Sequence, residues 1–161
     1  MNILLILVIY LVAPSFCEDC RRIGDTCYTA VVHTTSDISY NKAVDICKYR
    51  NKDIGLIRDE NSYKEVMEFL RHEITKTNKE KWYLTSIWTG ISFDPVNVRI
   101  TSLGSFAKWF PGYPLTGKYL FKDFTNVWLT VFNDPDAAAQ GMRNGEPIAQ
   151  TYGVLCEMKL N

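Results

Sequence analysis

The chain has 161 residues, 47% hydrophobic and 13% aromatic, which is enough for one domain with a well-filled core. Eighteen basic residues balance eighteen acidic ones, and no block of basic residues stands out. That balance argues against an electrostatic grip on nucleic acid or on an anionic membrane surface.

The N-terminus is continuously apolar over residues 3–12. Such a run suits the core of a signal peptide and is too short to span a bilayer. Small residues permit cleavage after Ser15 or after Cys17. The second choice leaves four cysteines rather than five, and places a signal peptide at 1–17 and a single domain at 18–161. No other stretch is long and apolar enough for a membrane helix, so the expectation is a secreted, extracellular protein without a transmembrane anchor. Cys20, Cys27, Cys47 and Cys156 then allow three pairings. In one of them, Cys20 and Cys27 close a small hairpin while Cys47 and Cys156 span most of the domain. A zinc site is not expected, because paired Cys-x-x-Cys units are missing and His33 and His72 are the only histidines.

Residues 26–33 are rich in Tyr, Val and Thr and favour a strand. Tyr40, Ala43, Val44 and Cys47 then recur at helical spacing behind a Ser39 cap, which turns Cys47 toward the core. Residues 54–57 read as a short extended stretch. A second helix follows. Ser62-Tyr-Lys-Glu65 has the form of a capping box with Ser62 as the cap, and Tyr63, Val66, Met67, Leu70 and Ile74 make the apolar stripe. His72 falls off that stripe and reads as exposed, and 75–81 as a solvated loop. Residues 82–88 predict a strand covered on both faces and ending at Thr89-Gly90. Residues 91–105 read as hairpin or loop. Trp-Phe-Pro-Gly-Tyr-Pro at 109–114 excludes a helix interior and predicts a stiff loop that presents aromatic rings. A strand at 127–132, a long loop at 133–146 and a last strand at 151–158 complete the chain. Helices segregated from an antiparallel sheet argue an α+β domain.

At this point the order of motifs resembles the C-type lectin-like domain family. The resemblance runs from Cys20…Gly24-Asp25-Thr26-Cys27-Tyr28 through the first helix with Cys47, Ile54-Gly-Leu-Ile57-Arg58 and the second helix at 61–74. It continues with Trp88-Thr89-Gly90, similar to the family's Trp-Ile-Gly. Trp109-x-Pro111-Gly112-x-Pro114 is similar to the lead-in to its calcium-binding Glu-Pro-Asn, and Leu155-Cys156-Glu157 to its terminal strand. The wording Tyr-Gly-Val-Leu-Cys-Glu at 152–157 is similar to invertebrate secreted members. The resemblance implies two helices packed on antiparallel sheets, a ligand-binding long-loop region at roughly 91–126, and the bridges Cys20–Cys27 and Cys47–Cys156.

The departures from that pattern bear on function. Calcium needs six to eight oxygen ligands. The triplet position here reads Tyr113-Pro114-Leu115, and Leu115 offers no side-chain oxygen. The family's later Trp-Asn-Asp appears as Gly141-Met-Arg143-Asn144-Gly-Glu146, where a cation intrudes. The family's second bridge is missing, with Trp128 and the 146–150 region in its place, so the loop is held by packing or is more mobile. The expectation is therefore no calcium, no other cofactor and no metal.

Catalysis is not expected either. No phosphate-cradling Gly-rich turn, His-Glu-x-x-His or nucleophile elbow is present. Ligand-binding candidates are Trp109, Tyr113 and Tyr119, whose rings can stack on sugars or anchor a protein, with Asn133, Asp134, Asn144 and Glu146 as oxygen donors. The competing reading places Trp109 in the core and the Asn, Asp and Glu residues in solvated turns. The function expected is a secreted recognition module for a glycan or protein ligand. A calcium-dependent lectin with a displaced site and a mainly structural secreted protein are the alternatives. Microbe recognition in innate immunity is common for the family and enters only by analogy.

Overall fold

The structure, a computed structural model, describes residues 20–78 and 82–160. The expected signal peptide lies outside the described residues. In chain order the elements are β1 (Arg21–Ile23), β2 (Thr26–Val32), α1 (Tyr40–Tyr49), β3 (Asp53–Ile54), α2 (Glu60–Thr77) and β4 (Leu84–Asp94). They continue with β5 (Arg99–Ile100), β6 (Asn126–Phe132), β7 (Gly141–Gly145) and β8 (Gly153–Lys159). The sheet runs β1-β2-β8-β4-β6-β7, with β3 on β8 and β5 on β4. All pairs are antiparallel except β4–β8, which is parallel where Ile87 and Trp88 meet Gly153 and Val154. The sheet is therefore mixed, a departure from the all-antiparallel expectation.

Both helices form where the apolar spacing predicts, and they cover different parts of the sheet. The stripe of α2, including Val66, Leu70 and Ile74, packs with Ile87, Leu129, Val131 and Leu155 into the larger core. Ala43 and Cys47 of α1 pack with Ile38, Trp88, Val154 and Cys156 into a second one. Trp88 is fully buried, and its Nε1 donates to the Ile38 carbonyl at 2.9 Å, so the polar edge of a large apolar ring is satisfied. Two disulfides are formed, Cys20–Cys27 and Cys47–Cys156. The second ties α1 to β8 across 109 residues of sequence.

Ser39 caps α1 as expected, accepting from the Lys42 amide. For α2 the cap is Asp59, not Ser62. The Asp59 carboxylate accepts the Ser62 amide at 2.6 Å, and the Ser62 hydroxyl accepts the Asp59 amide at 3.0 Å. Ser62 thus takes the third helical position, where its short hydroxyl reaches back, while a carboxylate meets the positive end of the helix dipole. The helix also runs on through Thr77, so 75–77 are helical rather than loop. His72 is exposed, as its place off the stripe predicts.

Thr89-Gly90 does not end β4. The strand continues to Asp94, with a register irregularity against β6 between Trp88 and Ser92. Gly90 is there for a different reason. A Cβ at this position would lie 2.7 Å from the Ile54 carbonyl oxygen, and the Gly90 amide donates to Gly55 O at 2.8 Å. The glycine lets the 54–56 segment lie directly on the strand.

β7 falls inside the stretch expected to be loop. Gly-Met-Arg-Asn-Gly has low strand propensity, but it is paired on both edges. β6 lies along one edge. Residues 108–110 lie along the other, with Met142 N donating to Lys108 O at 2.7 Å and Phe110 N donating to Met142 O at 2.8 Å. Tertiary pairing imposes the strand that local preference does not.

Beside the Cys47–Cys156 bridge lies a charged network. Arg58 clamps Glu157 with two hydrogen bonds, Nη1 to Oε2 at 2.8 Å and Nη2 to Oε1 at 2.6 Å. Oε2 also accepts the Leu56 amide at 2.9 Å. Tyr28 donates from its hydroxyl to the Leu56 carbonyl at 2.7 Å and accepts from Arg58. The Glu157 carboxylate holds the Arg58 guanidinium above its ordinary pKa, against the opposing effect of burial.

Candidate functional site

The long connection between β5 and β6 carries the aromatic loop, and β7 organises it. Alternation along β7 places Met142 and Asn144 on one face of the strand and Arg143 on the other. Asn144 is fully buried and uses both ends of its amide on the loop backbone. Its Oδ1 accepts Leu115 N at 2.7 Å, and its Nδ2 donates to Leu115 O at 2.8 Å and to Phe124 O at 3.0 Å. One side chain therefore holds both ends of the 115–124 segment. It is neither a solvated turn residue nor a free oxygen donor, which corrects both sequence readings of this position.

Arg143 extends over two aromatic rings. Its guanidinium carbon is 3.7 Å from the Phe110 ring centroid and 5.3 Å from that of Tyr113. The two rings meet edge to face at 6.0 Å. The Tyr113-Pro114 peptide bond is cis. In the sequence, Arg143 reads only as an obstacle to calcium. The sequence signal for its aromatic seat is Phe110, in the Trp-Phe-Pro-Gly stretch.

The remaining candidates are dispersed. Trp109 pairs with Met142 through a parallel bridge, its ring meets Phe93 at 5.1 Å, and it packs against the larger core. Tyr119 is 89% exposed and Leu120 83% exposed, at the free end of the loop. Glu146 is half-buried just beyond β7. Asn133 and Asp134 are not part of this site. Asn144 pairs with Val127 at one end of β6, and Asn133 follows the other end, about 20 Å away by strand rise. Asn133 donates to the Trp82 carbonyl, and Asp134 accepts the Asp136 amide in a turn. Near that turn is a cavity of about 470 Å³, walled by Tyr63, Met67 and Arg71 of α2, by Lys108 just before the aromatic loop and by Gln140. Arg71 donates there to the Phe132 carbonyl and to Gln140.

Packing takes the place of the missing second bridge. Trp128 meets Trp88 edge to face at 5.0 Å. Its ring lies so close over Gly145 that a Cβ there would sit 2.3 Å from a ring carbon. Among the described residues no three His, Cys, Asp or Glu side chains gather in a metal-binding group.

Asn144→Ala is expected to lower stability by about 2 kcal/mol, since three hydrogen bonds to buried or half-buried backbone are lost. Amide hydrogen exchange reads the local part of the effect. Protection should fall at residues 110–125 and stay unchanged in α2.

Two helices on a mixed sheet, a bridge from the first helix to the last strand and a long irregular loop paired to β7 define the C-type lectin-like fold. Solved structures share it over nearly their whole length. Herring type II antifreeze protein is 13% identical, with 90% of this chain and 99% of that chain covered at a TM-score of 0.64. Human lithostathine is 15% identical, covering 88% of this chain and 89% of that chain at 0.63. The C-type lectin domain of murine dendritic cell inhibitory receptor 2, solved with an N-glycan, is 13% identical, covering 88% and 97% at 0.61. No protein-family model matches the chain, and no curated protein matches it in sequence.

Proposed function

We propose that the chain is a secreted recognition module that binds a glycan, or failing that a protein, through the face built by β7 and the 101–125 loop, without a metal. Support for a glycan comes from the fold, shared with a lectin domain solved on an N-glycan. Support for an extracellular setting comes from two disulfides, bonds that persist in oxidising compartments. No helix among the described residues is long and apolar enough to cross a membrane.

The metal-free reading rests on one observation. The place where the fold's sugar-binding members hold calcium is built here from groups that do not fit it. Leu115 carries no side-chain oxygen, and the Asn144 amide is spent on the Leu115 and Phe124 backbone. The Arg143 guanidinium is stacked on Phe110 beside Tyr113. An apolar residue in the triplet, a spent amide and a cation on the same strand count against the shell of six to eight ligands that calcium takes.

Millimolar calcium is expected to leave the melting temperature of the mature domain unchanged, because a ligand stabilises only the state it binds. A glycan array run with calcium and with chelator should give the same ligands in both. A clear calcium-dependent rise in melting temperature, or binding lost in chelator, would overturn the metal-free reading.

A further inference from the structure

We propose that Arg143 is the anchoring residue of the ligand face and selects an acidic group, a carboxylate or sulfate, on a glycan. The inference rests on the recognition reading above and names the ligand class.

Arg143 differs from two other arginines of the domain that are ion-paired. Arg58 is paired with Glu157 and Arg99 with Asp94. The Arg143 side chain has neither an ion pair nor a hydrogen bond among the described residues. Its Nε is buried without a partner, while its two terminal nitrogens are not sealed from solvent. The side chain is nonetheless held in place, with its plane against Phe110 at 3.7 Å and Tyr113 beyond. Stacking of this kind fixes the rotamer before any ligand arrives, so little further side-chain entropy is lost on binding. What remains presented is the nitrogen edge of a planar, permanently charged fork, the geometry that meets a carboxylate or sulfate with two parallel hydrogen bonds.

The charge of the loop that carries Phe110 and Tyr113 has the same sign as Arg143. The chain is neutral as a whole, yet residues 101–125 carry Lys108, Lys118 and Lys122 against Asp123 alone. Lys108 lies over the Tyr63 ring, but Lys118 and Lys122 flank the exposed Tyr119-Leu120 tip and have no carboxylate partner among the described residues. Asp123 and Glu146 are the acidic residues closest to this face in sequence, and neither is paired with Arg143. A glycan is favoured over an acidic peptide by the fold, shared with a lectin domain solved on an N-glycan, and Tyr119 offers an exposed ring on which a sugar can stack.

The experiment uses the mature secreted protein in chelator. The immobilised probes are a sulfated glycosaminoglycan with its desulfated form and a polyuronate with its carboxyl-reduced form. Retention on at least one acidic probe and not on its neutralised partner is expected, and the two arms tell sulfate from carboxylate. Arg143→Gln should weaken that binding about tenfold or more, the effect of losing a charged hydrogen-bond pair. Arg143→Lys should fall well short of wild type, since it keeps the charge but loses the fork and the stack. Melting curves of both variants close to wild type confirm that the fold is intact. Equal retention on acidic and neutralised glycans would overturn the ligand class while leaving the recognition reading standing. Undiminished acidic binding by both variants would overturn the role of Arg143, and so would Arg143→Lys binding like wild type. Retention on an immobilised poly-glutamate peptide and on no glycan would assign the face to a protein partner. Failure to bind any of these probes would overturn the proposal, and an empty general glycan array as well would remove the glycan reading with it.

Discussion

Replacing Cys47 and Cys156 together by alanine should lower the unfolding free energy by about 4–5 kcal/mol in the chain-entropy account. The bridge closes 109 residues, so the unfolded chain regains nearly the freedom of a whole domain when it is cut. The folded state loses a contact too, because both sulfurs lie in the second core with Trp88 and Val154. The short Cys20–Cys27 bridge spans only 7 residues and should matter roughly half as much. Denaturant titration of the two double variants separates them. Comparable losses from both would show that loop closure is not the dominant contribution.

Glu157→Gln should be nearly as damaging, at about 3–4 kcal/mol, because it leaves the Arg58 guanidinium half-buried beside a group that cannot carry its counter-charge. The amide also cannot accept both Arg58 nitrogens and the Leu56 amide at once as the carboxylate does. A double variant with Arg58→Met and Glu157→Met should cost less than either polar-stranding single change, since it removes both charges and fills similar volume. A double-mutant cycle by equilibrium denaturation measures the coupling. Strict additivity would mean that the pair contributes nothing beyond its separate side chains.

Much of the scaffold was legible in the sequence because it rests on local rules. Helical spacing of Tyr63, Val66, Met67, Leu70 and Ile74 gave α2 its buried face, and the Ser39 cap placed the start of α1. The errors came where distant segments decide the outcome. Gly90 looked like a strand end, but it is a point of close approach by residues 54–56. The weak strand former Gly-Met-Arg-Asn-Gly became β7 through pairing on both edges. Asp59 displaced Ser62 as a cap because the helix starts a turn earlier and the two side chains accept each other's amides, an alternative that sequence alone does not rank. The candidate site shows the same division. Tyr113 and Asn144 were named, yet the role of Asn144 depends on carbonyls 29 and 20 residues away in sequence. Asn133 and Asp134 were grouped with them because they share a loop in sequence, although the length of β6 separates them in space.

The double grip of Asn144 on Leu115 and Phe124 has a consequence for how this protein can change. A segment clamped at both ends by a single buried amide has few other ties to the sheet that carries it, chiefly the Gly117 amide, which donates to the Pro95 carbonyl at 3.0 Å. Residues 116–123 then form an exchangeable cassette. Their sequence can vary with little effect on the packing beneath, provided that Gly117, with its positive φ and its bond to Pro95, is kept and the two anchoring backbone positions still reach the amide. Binding preference can therefore diversify at the tip while the framework stays constant, and grafting new eight-residue tips between 115 and 124 is a practical route to altered recognition on this scaffold.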